Sequence, residues 1–221
     1  MIDEIRGNTT LTYFEFATLS AFYLFSKSNL DVAVLEVGLG GRLDATNIVD
    51  SDISIITSIG IDHTEFLGNT IDSIALEKAG VMRPFKTCIY AQEKPPAALL
   101  KYAKNKSVNL LIHNNDYQVN LGSSNWSLKF KHNFINEIPN LKMIGDYQYN
   151  YAAASLLALD AILSECLENH DVIKSALSET EISGRFQYLS KSPDIILDVA
   201  HNEDAACLLY TSPSPRDCLL S

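Results

Sequence analysis

The chain has 221 residues, 47% of them hydrophobic and 20% charged, the balance of an ordinary globular protein with room for a sizeable core. Its formal net charge of -10 opposes non-specific binding to nucleic acid, and its longest apolar run, YFEFATLSAFYLF, has 13 residues and carries Glu15, too short to span a bilayer. Cys88, Cys166, Cys207 and Cys218 show no C-x-x-C spacing and MIDEIRGNTT lacks a secretory signal's basic start and apolar stretch, which together point to a soluble protein of the reducing cytoplasm.

In chain order, residues 11–27 are aromatic and aliphatic on most faces and read as a buried helix. DVAVLEV (31–37) and ISIITS (53–58) are β-branched runs of the kind that form parallel strands buried on both sides. TIDSIALEKAGV (70–81) has helical spacing with Thr70 as N-cap, TCIYA (87–91) reads as a strand, a helix follows Pro95-Pro96, and NLLIH (109–113) is a further strand. Within 117–141, YQVN, NWSLKF and NFINEI read as short antiparallel strands. A long helix is expected over 147–167 and a short one over 171–179. After the turn ISGR (182–185), FQYLS and DIILDVAHN look like the first strands of a second domain. Strands alternating with helices predict an α/β fold around a mostly parallel sheet flanked by helices, with a small antiparallel β section and the start of a second α/β domain.

Ligands of a parallel sheet bind beyond the carboxyl ends of its strands. Glu36 ends one predicted strand and precedes Gly-Leu-Gly-Gly, while Asp62 and His63 follow the next. A carboxylate and an imidazole on one edge suit a divalent metal, Mg²⁺ where phosphate oxygens complete the shell. The plainer readings are a capping or salt-bridging Glu36, a loop histidine at 63 and a solvated helix lysine at 78. Gly38, Gly40 and Gly41 allow close backbone approach to a ligand, but neither G-x-G-x-x-G nor the P-loop pattern G-x-x-x-x-G-K-[ST] occurs. Arg185, Asp198 and His201 flank the start of the second domain and are unremarkable singly.

Taken in order, LTYFEF (11–16), LEVGLGGRLDATN (35–47), ITSIGIDHTEFLGNT (56–70), EKAGVMRP (77–84), GDYQYNYAAA (145–154), SGRFQ (183–187) and LDVAHN (197–202) resemble one family. It is the folylpolyglutamate synthase/dihydrofolate synthase family of the Mur-ligase superfamily, ATP-dependent amide-bond ligases. The resemblance covers residues 8–206 and implies a P-loop NTPase-type central domain. It implies Mg²⁺ ligation by Glu36, His63 and a carbamylated Lys78, which are also the catalytic set. Asn150, Arg185, Asp198 and His201 match ATP-contacting positions or their immediate neighbours. Thr12, Tyr13, Phe14 and Glu15, with Leu43, Asp44 and Ala45, match segments lining the pterin or folate side. The implied reaction passes the γ-phosphate of ATP to a carboxylate of dihydropteroate or a folate, and L-glutamate's amine then displaces the phosphate. Its partners are thus small molecules, with no nucleic acid and no membrane, acting on a monomer at full length.

The sequence departs from the family's pattern in three places. The upstream substrate loop and G-K-[ST] phosphate loop are not in it, and Tyr147 stands where the family usually has histidine. After LDVAHNEDAA comes CLLYTSPSPRDCLLS, whose first part can be encoded by a transposase sequencing adapter; a genuine Ser/Pro linker is the alternative. The expected division is therefore a truncated ATP-binding ligase domain over 1–182, the start of a C-terminal Rossmann-like ligase domain over 183–206, and adapter-encoded residues over 207–221. A cell-wall Mur-type amino-acid ligase, or a non-catalytic binding or interaction protein on the same fold, are the competing functions.

Overall fold

The computed structural model describes residues 1–131, 133–202 and 205–207. The first half runs through helices α1 (Ile2–Arg6) and α2 (Tyr13–Phe25), strand β1 (Ile53–Ile56), helices α3 (Thr64–Leu67) and α4 (Ile71–Ala79), strand β2 (Thr87–Tyr90), helix α5 (Ala97–Asn105) and strand β3 (Asn109–Ile112). Strands β4 (Tyr117–Leu121), β5 (Asn125–Phe130) and β6 (Asn133–Pro139) follow, then helices α6 (Tyr147–Ile162) and α7 (His170–Glu179) and strands β7 (Gln187–Lys191) and β8 (Asp194–Leu197). Beyond Cys207, the stretch expected to be adapter-encoded lies outside the described residues.

The α/β expectation holds. β1, β2 and β3 form a parallel sheet in that order, with Ile53 opposite Thr87 and Thr87 opposite Asn109. Side chains of β2 alternate between faces, as a pleated strand requires. Cys88 and Tyr90 pack with Ala75 and Ala79 of α4 and with Leu99 and Ala103 of α5. Ile89 and Ala91 join the other core, built on Ala152, Ala153, Leu156 and Leu157 of α6. The same α6 face covers Trp126, Leu128 and Phe130 of the antiparallel sheet β4-β5-β6, so one helix cements both sheets. Its run of alanines permits that close approach, and the Tyr117 hydroxyl donates to the Tyr90 carbonyl at 3.0 Å across the seam. β7 and β8 form an antiparallel hairpin.

Local chemistry sets the helix starts. Thr70 caps α4 as expected, its hydroxyl accepting from the Ser73 amide at 3.1 Å. α2 begins with a capping box in which Glu15 accepts from the Thr12 amide at 2.7 Å and Thr12 accepts from the Glu15 amide at 3.2 Å. Three expectations need correction. α2 is a helix but not a buried one: Thr18 alone among its residues is buried, since no described sheet face lies beneath it. Residues 31–37 form no strand, and Val34 is 90% exposed. DVAVLEV has strand chemistry, but a strand exists through paired backbone groups, and among the described residues β1 pairs only with β2. The helix expected over 147–167 ends at Ile162, because Leu163 leaves helical geometry (φ -137°), and a 3-10 turn, Ser164–Glu168, takes over.

Candidate active site

The loop leaving the carboxyl end of β1 carries Ser58, Asp62 and His63. Lys78, in the last turn of α4, reaches back to it and donates from Nζ to the Ser58 carbonyl at 3.0 Å. Burial holds the Lys78 amine below its ordinary pKa, and the Asp62 carboxylate only partly opposes this. The Ser58 side chain is hydrogen-bonded to the Tyr151 hydroxyl of α6, whose pKa burial raises, while the charge of Arg185 pulls it the other way. Ser58 thus joins α4 through its carbonyl and α6 through its side chain.

Asp62 is the second focus. Its Oδ1 accepts from the His63 amide at 2.7 Å and its Oδ2 from Asn202 Nδ2 at 2.5 Å, while His63 Nε2 lies 3.7 Å from Oδ2. Partial burial pushes the Asp62 pKa up. The Asn202 bond, the His63 amide and the charges of His63 and His201 outweigh it and leave the carboxyl below its usual range. His63 sits at φ 49°, in the left-handed region where histidine is enriched among non-glycine residues, and its ring centroid lies 6.4 Å from that of His201.

The glycine-rich loop is locked beside these groups. Asp44 Oδ2 accepts from the Gly38 and Leu39 amides at 2.9 and 3.1 Å, and Oδ1 from Thr46 N and Oγ1 at 2.9 and 2.6 Å. Burial raises the Asp44 pKa, but these bonds prevail and hold it low. The Arg42 amide donates to the Glu77 carbonyl at 2.8 Å and its guanidinium to the Glu77 carboxylate at 2.9 Å. Asn47 donates to the Gly80 carbonyl at 3.0 Å, and Arg83 gathers the Asn47, Val49 and Gly80 carbonyls with Asp50. A Cβ on Gly80 would stand 2.4 Å from Arg42 Cα, so only glycine admits this docking. The motifs LEVGLGGRLDATN and EKAGVMRP are two halves of one joint.

The structure distributes the remaining expected residues unevenly. Phe14 lies against Gly38, where a Cβ would approach its ring to 3.0 Å, so Phe14 and Asp44 flank the loop together. Thr12 and Glu15 are engaged in the α2 cap, Tyr13 and Leu43 are 91% and 79% exposed, and Ala45 opens the 3-10 turn Ala45–Ile48. Glu36 is exposed, and Asn150 is half-buried on α6. Asp198 accepts from the Phe186 and Ala200 amides, both at 2.7 Å, and so pins the β7–β8 hairpin. Ser58, Tyr151 and Asn202 were not singled out from sequence. Asn202, beside His201, and Asp62, beside His63, had a readable neighbour, whereas the role of Ser58 rests on a backbone carbonyl that no sequence pattern marks.

A family model for the Mur ligase middle domain matches residues 3–159. The chain belongs to the Mur ligase family. Within it, this Mur ligase chain is 42% identical to the dihydrofolate synthase/folylpolyglutamate synthase of Escherichia coli over 93% of its own length and 47% of that protein's. The same enzyme of Buchnera aphidicola from Schizaphis graminum is 45% identical, with 95% and 49% covered. Among solved structures, Escherichia coli FolC in complex with DHPP and ADP superposes with a TM-score of 0.85 at 41% identity, over 92% of this chain and 48% of that one. The bifunctional enzyme from Yersinia pestis, complexed with AMPPNP and a Mn ion, gives 0.81 at 38% identity, over 93% and 48%. The chain thus spans about half the length of the relatives it matches. No helix among the described residues is long and apolar enough to cross a membrane.

Proposed function

We propose that the protein is a cytoplasmic, ATP-dependent ligase that joins L-glutamate to dihydropteroate, to folates, or to both. The observation that carries this reading is the convergence of Lys78, Asp62 and His63 on the carboxyl edge of the parallel sheet, beside a glycine loop locked to α4. Similarity to enzymes named for both activities supports the choice of substrates.

The donor chemistry suits a divalent cation. Asp62 is held ionised, His63 is exposed, and Lys78 is depressed towards the neutral amine that adds to CO₂, forming an N–C bond as its proton leaves to solvent. The resulting carbamate would join Glu36 and His63 as metal ligands. Bound Mg²⁺ supplies positive charge to the phosphate oxygens during transfer. In the reaction, the substrate carboxylate attacks the γ-phosphorus and ADP departs; the glutamate amine then attacks the acyl carbon and phosphate departs. Arg185, Asn150, Asp198 and His201 serve the nucleotide, and Phe14, with Thr12, Tyr13, Glu15, Leu43, Asp44 and Ala45, forms the pterin side. We assign residues 1–182 to the ATP-binding domain, 183–206 to the start of the second, and 207–221 to adapter sequence.

The test is mass spectrometry of dihydropteroate and tetrahydrofolate incubated with ATP and isotopically heavy glutamate. A protein of the relatives' length is expected to add one heavy glutamyl residue per ADP released, and UDP-linked peptide precursors are expected to stay unmodified. Addition to a UDP-linked precursor instead would establish a cell-wall ligase, and no addition to any acceptor would establish a non-catalytic protein. The 221 residues by themselves, without a G-K-[ST] loop, are expected to show no turnover.

A further inference from the structure

His113 follows β3 at the seam between the parallel and antiparallel sheets, and only 7% of it is exposed. Its amide and the Tyr117 hydroxyl both donate to the Tyr90 carbonyl, at 3.3 and 3.0 Å, and its ring centroid lies 5.3 Å from that of Tyr117. Neither Nδ1 nor Nε2 has a hydrogen-bond partner among the described residues. A proton gained there makes both nitrogens donors and adds a charge, which an apolar setting without acceptors disfavours. The ionisable side chains on the elements that meet this ring are Tyr90 of β2, Glu93 of the β2–α5 loop, Asp116 of the β3–β4 turn and Tyr117 of β4. Burial keeps both phenols neutral, pushing Tyr90 up to about 12 and raising Tyr117 as well. Asp116 Oδ2 is engaged by the Ile112 amide at 2.8 Å and by Asn115 Nδ2 at 3.0 Å. Glu93 is exposed, its charge already acts on His113, and among the described residues it accepts only from Asn114 Nδ2, at 2.7 Å. That single bond ties the loop after β2 to the turn after β3.

We infer that His113 and Glu93 form an acid-opened latch between these two segments: protonated His113 leaves its buried position and pairs with Glu93, which releases Asn114. Asn114 sits at φ 61° with its amide donating to the Tyr117 carbonyl at 2.7 Å, so freeing its side chain loosens the turn that joins the two sheets. The loop it frees also touches the loop after β1, where Gln92 accepts from the Ile59 amide at 3.4 Å. Burial lowers the proton affinity of the closed form. The latch is therefore shut at neutral pH and opens as pH falls below the ordinary histidine value of about 6.5. It stands apart from the ligase reading, since none of its groups belongs to the nucleotide, pterin or metal sets, and its state is read without turnover.

Hydrogen exchange of the 221-residue chain, followed by NMR from about pH 7.5 to about pH 5 and corrected for intrinsic rates, tests the proposal. Opening at the Asn114 and Asp116 amides is expected to rise by up to about tenfold per pH unit below about pH 6.5, with no comparable rise at Gly122 in the β4–β5 turn. His113→Gln, which takes up no proton, is expected to abolish the rise. Glu93→Gln keeps an oxygen for Asn114 but removes the charge, and is expected to reduce opening severalfold at the acidic end. No rise at Asn114, an equal rise at Gly122, a rise retained in His113→Gln, or a full rise in Glu93→Gln would each overturn the proposal.

Discussion

Lys78 shows how burial alone shifts the charge balance of a residue. An amine packed against Ser58 and opposed by a single carboxylate pays to be charged, so the folded state binds fewer protons there than the unfolded chain. Stability is therefore expected to rise with pH through the window between the lowered native pKa and the ordinary lysine value, and Lys78→Met should flatten that slope in urea denaturation. In the protein of the relatives' length, the same substitution should abolish glutamate transfer. Asp44 and Asp62 act at the other end of the scale. Both carboxyls lie below their ordinary pKa, so their stabilisation is full above it and is lost as pH falls through the native values. His113 has the opposite character: it is buried, and neither ring nitrogen has a hydrogen-bond partner among the described residues. Burial depresses its pKa despite the charge of Glu93, so protonation of the unfolded chain below about pH 6.5 disfavours folding. His113→Leu is expected to raise stability by about 1–3 kcal/mol, most at mildly acidic pH, as measured by urea midpoints across pH. By position alone His63 read as a loop histidine and Lys78 as a solvated helix lysine, and only the resemblance of the surrounding motifs singled them out. Ser58 was not singled out, since the carbonyl that fixes Lys78 is common to all residues.

Among the elements, the joint between the glycine loop and α4 shows what a pattern contains and what it omits. The sequence displayed two separate motifs; their docking through Arg42, Glu77, Asn47 and Gly80 is a tertiary fact. Gly80→Ala is expected to cost at least about 2 kcal/mol, because the added methyl meets backbone atoms of Arg42 that cannot turn aside. Urea midpoints, with far-UV dichroism confirming retained helix, measure it. Helix caps were readable from Thr70 and Thr12 because they are local. Residues 31–37 were misread because β-branched composition reports a strand's suitability for a sheet, while its existence depends on a neighbour elsewhere in the chain.

For the whole molecule, strands buried on both faces of a parallel sheet were implied by the β-branched runs alternating with helices, and β2 does feed a core on each side, but the distribution of exposed apolar surface was not implied. Tyr13, Leu24 and Val34 all face outward, and the periodicity of 11–27 gave no hint of which faces would lie uncovered. The 221-residue chain is expected to bind an apolar dye and to self-associate with rising concentration in light scattering. Leu24→Glu should reduce both without loss of helix. At this scale the ligase reading requires that a carboxylate be activated by phosphate before it meets glutamate. Oxygen-18 placed in the carboxylate of dihydropteroate follows that path in the protein of the relatives' length. Transfer of one labelled oxygen to inorganic phosphate for each amide formed is the expected result. Product formation with no label in phosphate would contradict it.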